Sequence, residues 1–297
     1  KRIQIPYTMK RFISIVLTGA ILAALSVSCS QGLYPRKGKA VRIATYNVGV
    51  FHKWEGSGIP MTASLMKELA PDVIALQEMD SCANRTGSVY QAEAFAKEMG
   101  AEWGYAYAPA LKPFQGGAYG VAQVWDADVK KPVGTFNVVL PKGKGSETRA
   151  LCVVEYEDMV VASTHLDHRN DSSQLAQAVI VTDTLKALYG ASAKPVFLCG
   201  DFNAYPESQT IAYCREHWDV LTDVTKTTFP RWKEVNAMET RPQTIAETPG
   251  ITIDFIMLLK NGVAYEVTAT DTCIPFETGD VFSSSDHLPV YVDVLFK

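Results

Sequence analysis

Ten strand-like runs limit the folds open to this chain. They are rich in Val, Ile and aromatic residues, and they cover residues 41–46, 73–76, 120–125, 135–139, 150–155, 160–163, 196–199, 252–259, 263–270 and 290–295. Helix-like stretches cover residues 60–69, 90–99, 173–188 and 208–217, with Ser172 or Ser173 as the expected N-cap of the third. Ten strands with four helices are too many for a simple doubly wound sheet, so the pattern predicts two packed sheets with helices outside.

The first 28 residues have a different character. Met9-Lys10-Arg11 precedes an apolar run over residues 12–27, and Cys29 follows. A basic head, a short apolar run and small residues are typical of a secretory signal, and the run is shorter than the roughly 20 residues of a membrane span. We predict a signal peptide over residues 1–28 that starts at Met9, and a lipid anchor at Cys29. The protein is then expected to be an exported bacterial lipoprotein, periplasmic or at the outer membrane.

The rest of the chain predicts one domain. Residues 29–40 are polar and basic and are expected to form a linker, while residues 41–297 contain no repeat, low-complexity stretch or second linker. If Cys29 is lipidated, an odd number of cysteines remains, which gives no complete disulfide framework. Cys152 and Cys199 lie in apolar runs and are expected to be buried thiols.

The charge balance bears on the class of partner. The chain has 28 basic and 32 acidic residues, and residues 1–28 hold four of the basic residues and no acid. Cleavage would therefore lower the net charge from −4 to −8. Proteins that depend on contacts with a nucleic-acid backbone are usually basic, because each phosphate contact needs a Lys or Arg. Nucleic acid is therefore the less favoured partner.

Polar residues that a core strand does not need stand at or near the ends of six runs. Binding residues often lie where a rigid strand gives way to a loop. If these ends meet at one edge, they bring together four carboxylates, two histidines and two asparagines: Asn47, Glu78, His165, Asp201, Asn203, Asp254, Asp286 and His287. Each residue alone has a structural explanation, such as a strand cap or an interior histidine. The prediction of a functional site therefore depends on the occurrence of all eight residues together.

Such a cluster of acids predicts a metal site. Neighbouring carboxylates raise each other's pKa unless a cation compensates them. Oxygen ligands suit a hard ion, Mg²⁺ before Mn²⁺ or Ca²⁺, and the chemistry that this favours is metal-assisted attack of water on phosphorus. In Gly200-Asp201-Phe202-Asn203 the glycine permits an unusual backbone, and Asp201 and Asn203 are expected to project from one side of an extended segment.

These motifs resemble those of the endonuclease/exonuclease/phosphatase superfamily, which has the DNase I-like fold. The resemblance spans residues 41–294, and six motifs occur in the family's order: Tyr46-Asn47, Gln77-Glu78, Thr164-His165-Leu166, Gly200-Asp201-Phe202-Asn203, Ile253-Asp254 and Ser285-Asp286-His287. The resemblance implies a four-layered α/β (α+β) sandwich of two mixed sheets with helices outside. It is specific for fold and chemistry and much less so for substrate.

The resemblance also implies a role for each residue around the metal. Glu78 would be the main Mg²⁺ ligand, with Asn47 helping to hold the metal or its water and Asp286 nearby. Arg149 resembles a family arginine beside the substrate phosphate, although an arginine at the start of a surface strand would look the same.

The remaining residues would act on water and phosphate. Asp201 would orient or activate the attacking water, while Asn203 and His165 would contact the phosphoryl oxygens. His287 would be a general base or a stabilising charge, held in place by Asp254. Family mechanisms differ over which group is the base, and the sequence leaves that choice open.

Three functions follow as hypotheses. The first is a monomeric phosphoesterase that hydrolyses a small or lipid-linked phosphoester. The second is a secreted DNase I-like nuclease, which would need a basic groove, for instance from Lys112, Lys142, Lys144 and Arg149. The third is a non-catalytic binding protein on the same fold, which would show loss of Glu78, Asp201 or His287. None of those residues is lost.

Overall fold

The computed structural model describes residues 32–54 and 56–297, and within them fourteen strands form two six-stranded sheets and a small third one. The strands are β1 (Val41–Asn47), β2 (Val73–Ser81), β3 (Trp103–Phe114), β4 (Gly117–Asp126), β5 (Pro132–Leu140), β6 (Arg149–Tyr156), β7 (Val160–His165), β8 (Val196–Asp201), β9 (Trp218–Val220), β10 (Phe229–Pro230), β11 (Gly250–Ile251), β12 (Asp254–Leu259), β13 (Tyr265–Thr272) and β14 (Val290–Phe296). The helices are α1 (Ile59–Leu69), α2 (Gln91–Met99), α3 (Asp171–Tyr189), α4 (Gln209–His217) and α5 (Trp232–Val235).

Both large sheets are mixed. The first has the strand order β13-β14-β1-β2-β4-β3 and the second β5-β6-β7-β8-β12-β9, while β10 pairs with β11. β1 runs parallel to β2 and β7 parallel to β8, and the other pairs are antiparallel. This confirms the predicted sandwich of two mixed sheets flanked by helices.

Apolar side chains hold the layers together. Ile43 and Val73 of the first sheet share one buried cluster with Phe197 and Ile256 of the second, so this core lies between the sheets. A second cluster lies on the other face of the second sheet, where α3 and α4 pack on it through residues such as Val181. Burial of this kind of surface contributes roughly 25 cal/mol per Å² and is the main stabilising term.

Several elements differ from the sequence expectations: β3, β9, β10, β11 and α5 were not predicted, and α3 begins earlier than expected. The sequence did not predict β3, because Pro109 and Pro113 interrupt its pattern. In the structure β3 is an edge strand, where a missing N–H is tolerated. The N-cap of α3 is Asn170, whose side chain accepts a hydrogen bond from the Ser173 N–H. The expectation of Ser172 or Ser173 was therefore wrong, because the helix begins earlier than its apolar pattern does.

The described residues begin after the predicted signal peptide and include five cysteines. The predicted signal peptide and Cys29 lie outside the described residues. A compact unit runs from Arg36 to Lys297. Cys152 and Cys199 are free and buried, as predicted. None of the helices in the described part of the chain combines the length and apolar character needed to cross a membrane.

Replacing Gly200 with alanine is expected to lower the free energy of unfolding by about 3 kcal/mol. Gly200 has a φ of +152°, and a Cβ there would lie 2.0 Å from the Thr164 carbonyl oxygen, so backbone would have to move. Gly134 on β5 is the matched control, since its Cβ would meet nothing within 4 Å. Urea unfolding should show a change within about 0.5 kcal/mol at Gly134. Equal losses at the two positions would contradict the close approach.

Candidate active site

The predicted site residues meet where the two sheets end together. Asn47, the last residue of β1, is the register partner of Gln77 in the parallel strand β2, and their pairing ends there. His165 and Asp201 are partners in the same way at the ends of β7 and β8. β12 runs antiparallel to β8, so its first residue, Asp254, lies opposite Asp201. The topology thus brings residues that are far apart in sequence to one edge of the sandwich.

Glu78 reaches this edge because β2 carries a bulge. The pairing of β2 with β4 loses register between Leu76 and Met79, and Gln77 and Glu78 form the irregular part. Glu78 has a φ of +56°, a left-handed conformation that is uncommon outside glycine. Bulges often re-aim a side chain next to an active site. Here the Glu78 Oε1 atom lies 3.2 Å from Asn47 Nδ2.

The backbone turns sharply after Asp201. The Asn203 N–H donates to Asp201 Oδ1 at 2.8 Å, and Asn203 has a φ of +49°. Its Nδ2 donates to the Leu166 carbonyl oxygen at 3.1 Å. The expectation of an extended segment was therefore wrong, because the carboxylate accepts the N–H two residues along and closes a turn. Both side chains nevertheless line the same cavity.

Three buried side chains hold His287 in one orientation. Its Nδ1 lies 2.9 Å from Asp254 Oδ2, and the Thr228 hydroxyl donates to that same oxygen at 2.6 Å. The His287 Nε2 atom lies 3.6 Å from Asp201 Oδ2. Asp254 therefore anchors one side of the ring, and the other side faces Asp201 and the cavity.

Asn47 lies at the centre of these groups. Its Nδ2 is 3.0 Å from Asp201 Oδ2 and 3.3 Å from His287 Nε2, while its Oδ1 accepts the Gly49 N–H at 3.1 Å. The amide nitrogen, rather than the oxygen, therefore faces the carboxylates. Coordination of a metal by the Asn47 oxygen would require the amide to turn over, so this role stays a prediction.

The pKa values of the two histidines move in opposite directions. Burial alone would lower the pKa of His287, but the charges of Asp254 and Asp201 outweigh it and raise the pKa to about 10. Burial lowers the pKa of His165 well below its usual 6.5, and the Arg149 charge lowers it further. Burial also raises the pKa of Asp201 to about 7, an effect that His287 opposes and Asp254 strengthens. At neutral pH His287 is the cation and His165 is neutral.

Replacing Thr228 with valine is expected to destabilise the protein by about 2 kcal/mol and to lower kcat. The Thr228 hydroxyl donates to Asp254 and accepts the N–H groups of Ile253 at 3.0 Å and Asp254 at 3.1 Å. Valine keeps the shape and removes all three contacts, whereas a Thr228→Ser control keeps the hydroxyl. Urea unfolding would measure the difference, and a valine variant as stable as the serine variant would contradict this role.

One cavity of about 430 Å³ collects most of the predicted residues. Seven line it: Glu78, Arg149, His165, Asp201, Asn203, Asp286 and His287. Asn47 and Asp254 lie behind the lining and contact it through hydrogen bonds. Aromatic side chains of Tyr119, Tyr205 and Phe229 complete the walls. Of the four basic residues proposed for a nucleic-acid groove, Arg149 is the one that lines this cavity within the described residues.

Three contacts here were missed from the sequence. Lys53 forms an ion pair with Asp286, with Nζ 2.6 Å from Oδ2. Arg149 Nη2 donates to Nδ1 of His168, three residues after His165, at 3.1 Å. Thr228 supports Asp254 as described. The second histidine in residues 164–168 was a signal that could have been noticed, whereas Lys53 and Thr228 belong to no motif.

The residues fit a divalent cation. Glu78 and Asp286 present carboxylate oxygens to one cavity, and oxygen ligands are what Mg²⁺, Mn²⁺ and Ca²⁺ prefer. Asp201, Asp254 and His287 are a second group that could hold a metal, with ligand atoms within 4.8 Å of one another. We favour Glu78 over this second group as the metal ligand, because Asp254 Oδ2 already accepts a hydrogen bond from Thr228 and faces the His287 ring nitrogen.

A family model places this arrangement in a known class. Residues 44–287 match the endonuclease/exonuclease/phosphatase family. The chain therefore belongs to that family, whose members hydrolyse phosphoester bonds. Its fold and its cluster of acids and histidines define the same class. Among curated proteins, none matches the sequence.

Solved structures share the fold. An endonuclease/exonuclease/phosphatase from Bacteroides vulgatus is 15% identical with a TM-score of 0.66, over 88% of this chain and 100% of the other. The mannosyl-6-phosphatase of Bacteroides thetaiotaomicron is 18% identical with a TM-score of 0.65, over 86% and 100%. The human nocturnin catalytic domain, with a bound sulfate, is 20% identical with a TM-score of 0.58, over 87% and 94%. At these identities the likeness supports the fold alone.

Proposed function

We propose that this protein is a divalent-metal-dependent phosphoesterase that hydrolyses a small phosphoester. The observation that carries the proposal is the buried cluster around Asp201 Oδ2, which lies 3.0 Å from Asn47 Nδ2, 3.4 Å from His165 Nε2 and 3.6 Å from His287 Nε2. Asp254 anchors the far side of the His287 ring, and Asn47 also donates to Glu78. A buried cluster of acids and histidines open to one cavity is difficult to explain by packing, because buried charges cost free energy unless they are paired.

Glu78 is proposed to hold the metal, with Asp286 beside it. When bound, a Mg²⁺ ion supplies Lewis-acid polarisation of a phosphoryl oxygen and favours hydroxide over water. Asn47 positions the Glu78 carboxylate through its amide nitrogen. The binding of a cation also offsets the mutual repulsion of the carboxylates.

The remaining residues act on water and phosphate. Asp201, with its pKa raised to about 7 by burial, is placed to accept the proton of the attacking water. His287, held cationic by Asp254, offers a charged hydrogen bond to the phosphoryl group. Asn203 gives one amide hydrogen to Leu166 and keeps the other for a phosphoryl oxygen.

The cavity favours a compact substrate. Its volume of about 430 Å³ falls within the range of small-molecule sites. Tyr205 and Phe229 offer aromatic faces for the leaving group, and a structural neighbour is a mannosyl-6-phosphatase. A small phosphomonoester such as a sugar phosphate is therefore the substrate class that we propose.

The nuclease hypothesis is less well supported. Lys112, Lys142 and Lys144 are exposed and do not line the cavity, so they add no basic wall to it. A nucleic-acid backbone needs several such contacts.

We also infer, from the sequence pattern alone, that the protein is a monomer that is exported and lipid-anchored at Cys29.

A substrate panel tests this proposal. Purified protein would be assayed with Mg²⁺, Mn²⁺ and Ca²⁺ against a sugar phosphate, an inositol phosphate, sphingomyelin, a bis-aryl phosphodiester and DNA. We expect the highest kcat/KM for a small monoester. Faster cleavage of DNA than of every small ester would reverse the order of the two enzyme hypotheses.

A further inference from the structure

Arg149 is buried beside His165 rather than displayed on the surface. It is the first residue of β6 and is only 2% exposed. Its Nη1 lies 2.9 Å from Glu147 Oε1 and 3.4 Å from His165 Nδ1, and its Nη2 lies 3.1 Å from His168 Nδ1. The guanidinium is therefore already occupied by three side chains at one end of the cavity.

These contacts fix the position of a proton on His165. A guanidinium has five N–H donors, no acceptor and no accessible neutral form in proteins. The Nη1–H that points at His165 Nδ1 therefore requires Nδ1 to be an acceptor. In a neutral imidazole the other nitrogen then carries the hydrogen. That nitrogen, Nε2, lies 3.4 Å from Asp201 Oδ2 and belongs to a ring that lines the cavity.

We propose that Arg149 is a positioning residue that fixes His165 in its Nε2–H tautomer, so that His165 acts as a neutral hydrogen-bond donor to the substrate phosphate. The reaction in which this donor acts rests on the proposed function, but the tautomer itself does not. Arg149 thus contributes through His165, and acceptance of the proton from water is left to Asp201.

His287, the other histidine of the site, has a carboxylate rather than a guanidinium beside its Nδ1 atom. His287 Nδ1 faces the carboxylate of Asp254, which requires Nδ1–H. His165 Nδ1 faces a cation, which requires a bare nitrogen. Burial and the Arg149 charge also lower the pKa of His165, in keeping with a neutral ring. The two rings are therefore not interchangeable, although both face Asp201 Oδ2.

Nitrogen NMR measures the tautomer directly. The chain has five histidines, so long-range ¹H–¹⁵N spectra of the full protein remain simple, and His165→Gln identifies the His165 signals by their loss. We expect a neutral His165 ring with the hydrogen on Nε2 at neutral pH. An Nδ1–H ring or an imidazolium would overturn the proposal, and neither result depends on whether any substrate is hydrolysed.

Removal of the Arg149 guanidinium should allow the His165 ring to adopt either tautomer. In Arg149→Met we expect a mixture of the two His165 tautomers and a loss of about 10- to 100-fold in kcat, as for other groups that orient a functional side chain. An unchanged His165 spectrum in the folded variant would overturn the role of Arg149. If the variant does not fold, the wild-type spectrum still decides the tautomer.

Two substitutions at His165 supply an independent test. The side-chain amide of glutamine places its N–H near the position of Nε2, whereas that of asparagine reaches only the position of Nδ1. On the best small phosphoester we expect His165→Gln to keep at least about tenfold more kcat than His165→Asn, since one oriented donor contributes on the order of 10²-fold. Equal activities, or a more active asparagine variant, would contradict the proposal.

Discussion

Replacing Asp201 with asparagine is expected to lower kcat by about 10³-fold or more while the fold is kept. Asparagine has the same shape and still accepts the Asn203 N–H through its oxygen, so the turn after β8 is retained. It cannot take a proton from water, and it removes the negative charge that faces His287. Initial rates on the best substrate, with a thermal melt of each variant, measure this directly.

A matched control separates this effect from a general loss of charge. Asp171 also lines the cavity and lies at the first turn of α3. Asp171→Asn should stay within about threefold of wild-type kcat, at a cost of about 0.5 kcal/mol for the weaker interaction with the helix dipole. A folded Asp201→Asn variant that keeps its activity within tenfold of wild type would exclude Asp201 as the group that acts on water.

Replacing Glu78 with glutamine is expected to abolish metal binding and to lower kcat by about 10³-fold. A metal that binds only the folded state stabilises it by about 2.7 kcal/mol at one hundred times its Kd. For a domain of this size that corresponds to a rise in Tm of roughly 5–10 °C with Mn²⁺. Glu78→Gln should lose this rise and about 10³-fold in kcat, whereas Asp171→Asn should keep the rise.

The alternative metal position gives a different pattern. If the ion is bound by Asp201, Asp254 and His287, Glu78→Gln would still show the Mn²⁺-dependent rise in Tm. Asp254→Asn would then abolish the rise. The two melts therefore distinguish the metal positions without any substrate.

The sequence predicted the sandwich well, because core strands carry a strong local pattern of apolar residues. The strand ends that carry Asn47, His165 and Asp201 were read within a residue or two. β3 was not predicted, because prolines are unfavourable within a strand. They are tolerated in β3 because it lies at the edge of its sheet. Strand position within a sheet is set by tertiary pairing, which a single sequence does not contain.

The detailed geometry of the site could not be predicted from the sequence as well as the strands were. The left-handed conformation of Glu78 comes from a β-bulge, and that of Asn203 from a turn closed by a side chain. Neither conformation could be predicted from the residue type. The contacts of Lys53 and Thr228 join segments that are far apart in sequence. The pairing of His287 with Asp254 was expected only through the resemblance. Such contacts depend on topology, whereas strand patterns are local.

Metal-dependent release of phosphate tests the central claim most directly. Wild-type protein and Asp201→Asn would be incubated with a sugar phosphate in Mg²⁺ and in excess chelator, and inorganic phosphate would be measured over time. We expect release by the wild type in Mg²⁺, and none above background with chelator or in the variant. Equal release in all four samples, or no hydrolysis of any phosphoester with any of the three divalent metals, would contradict the account.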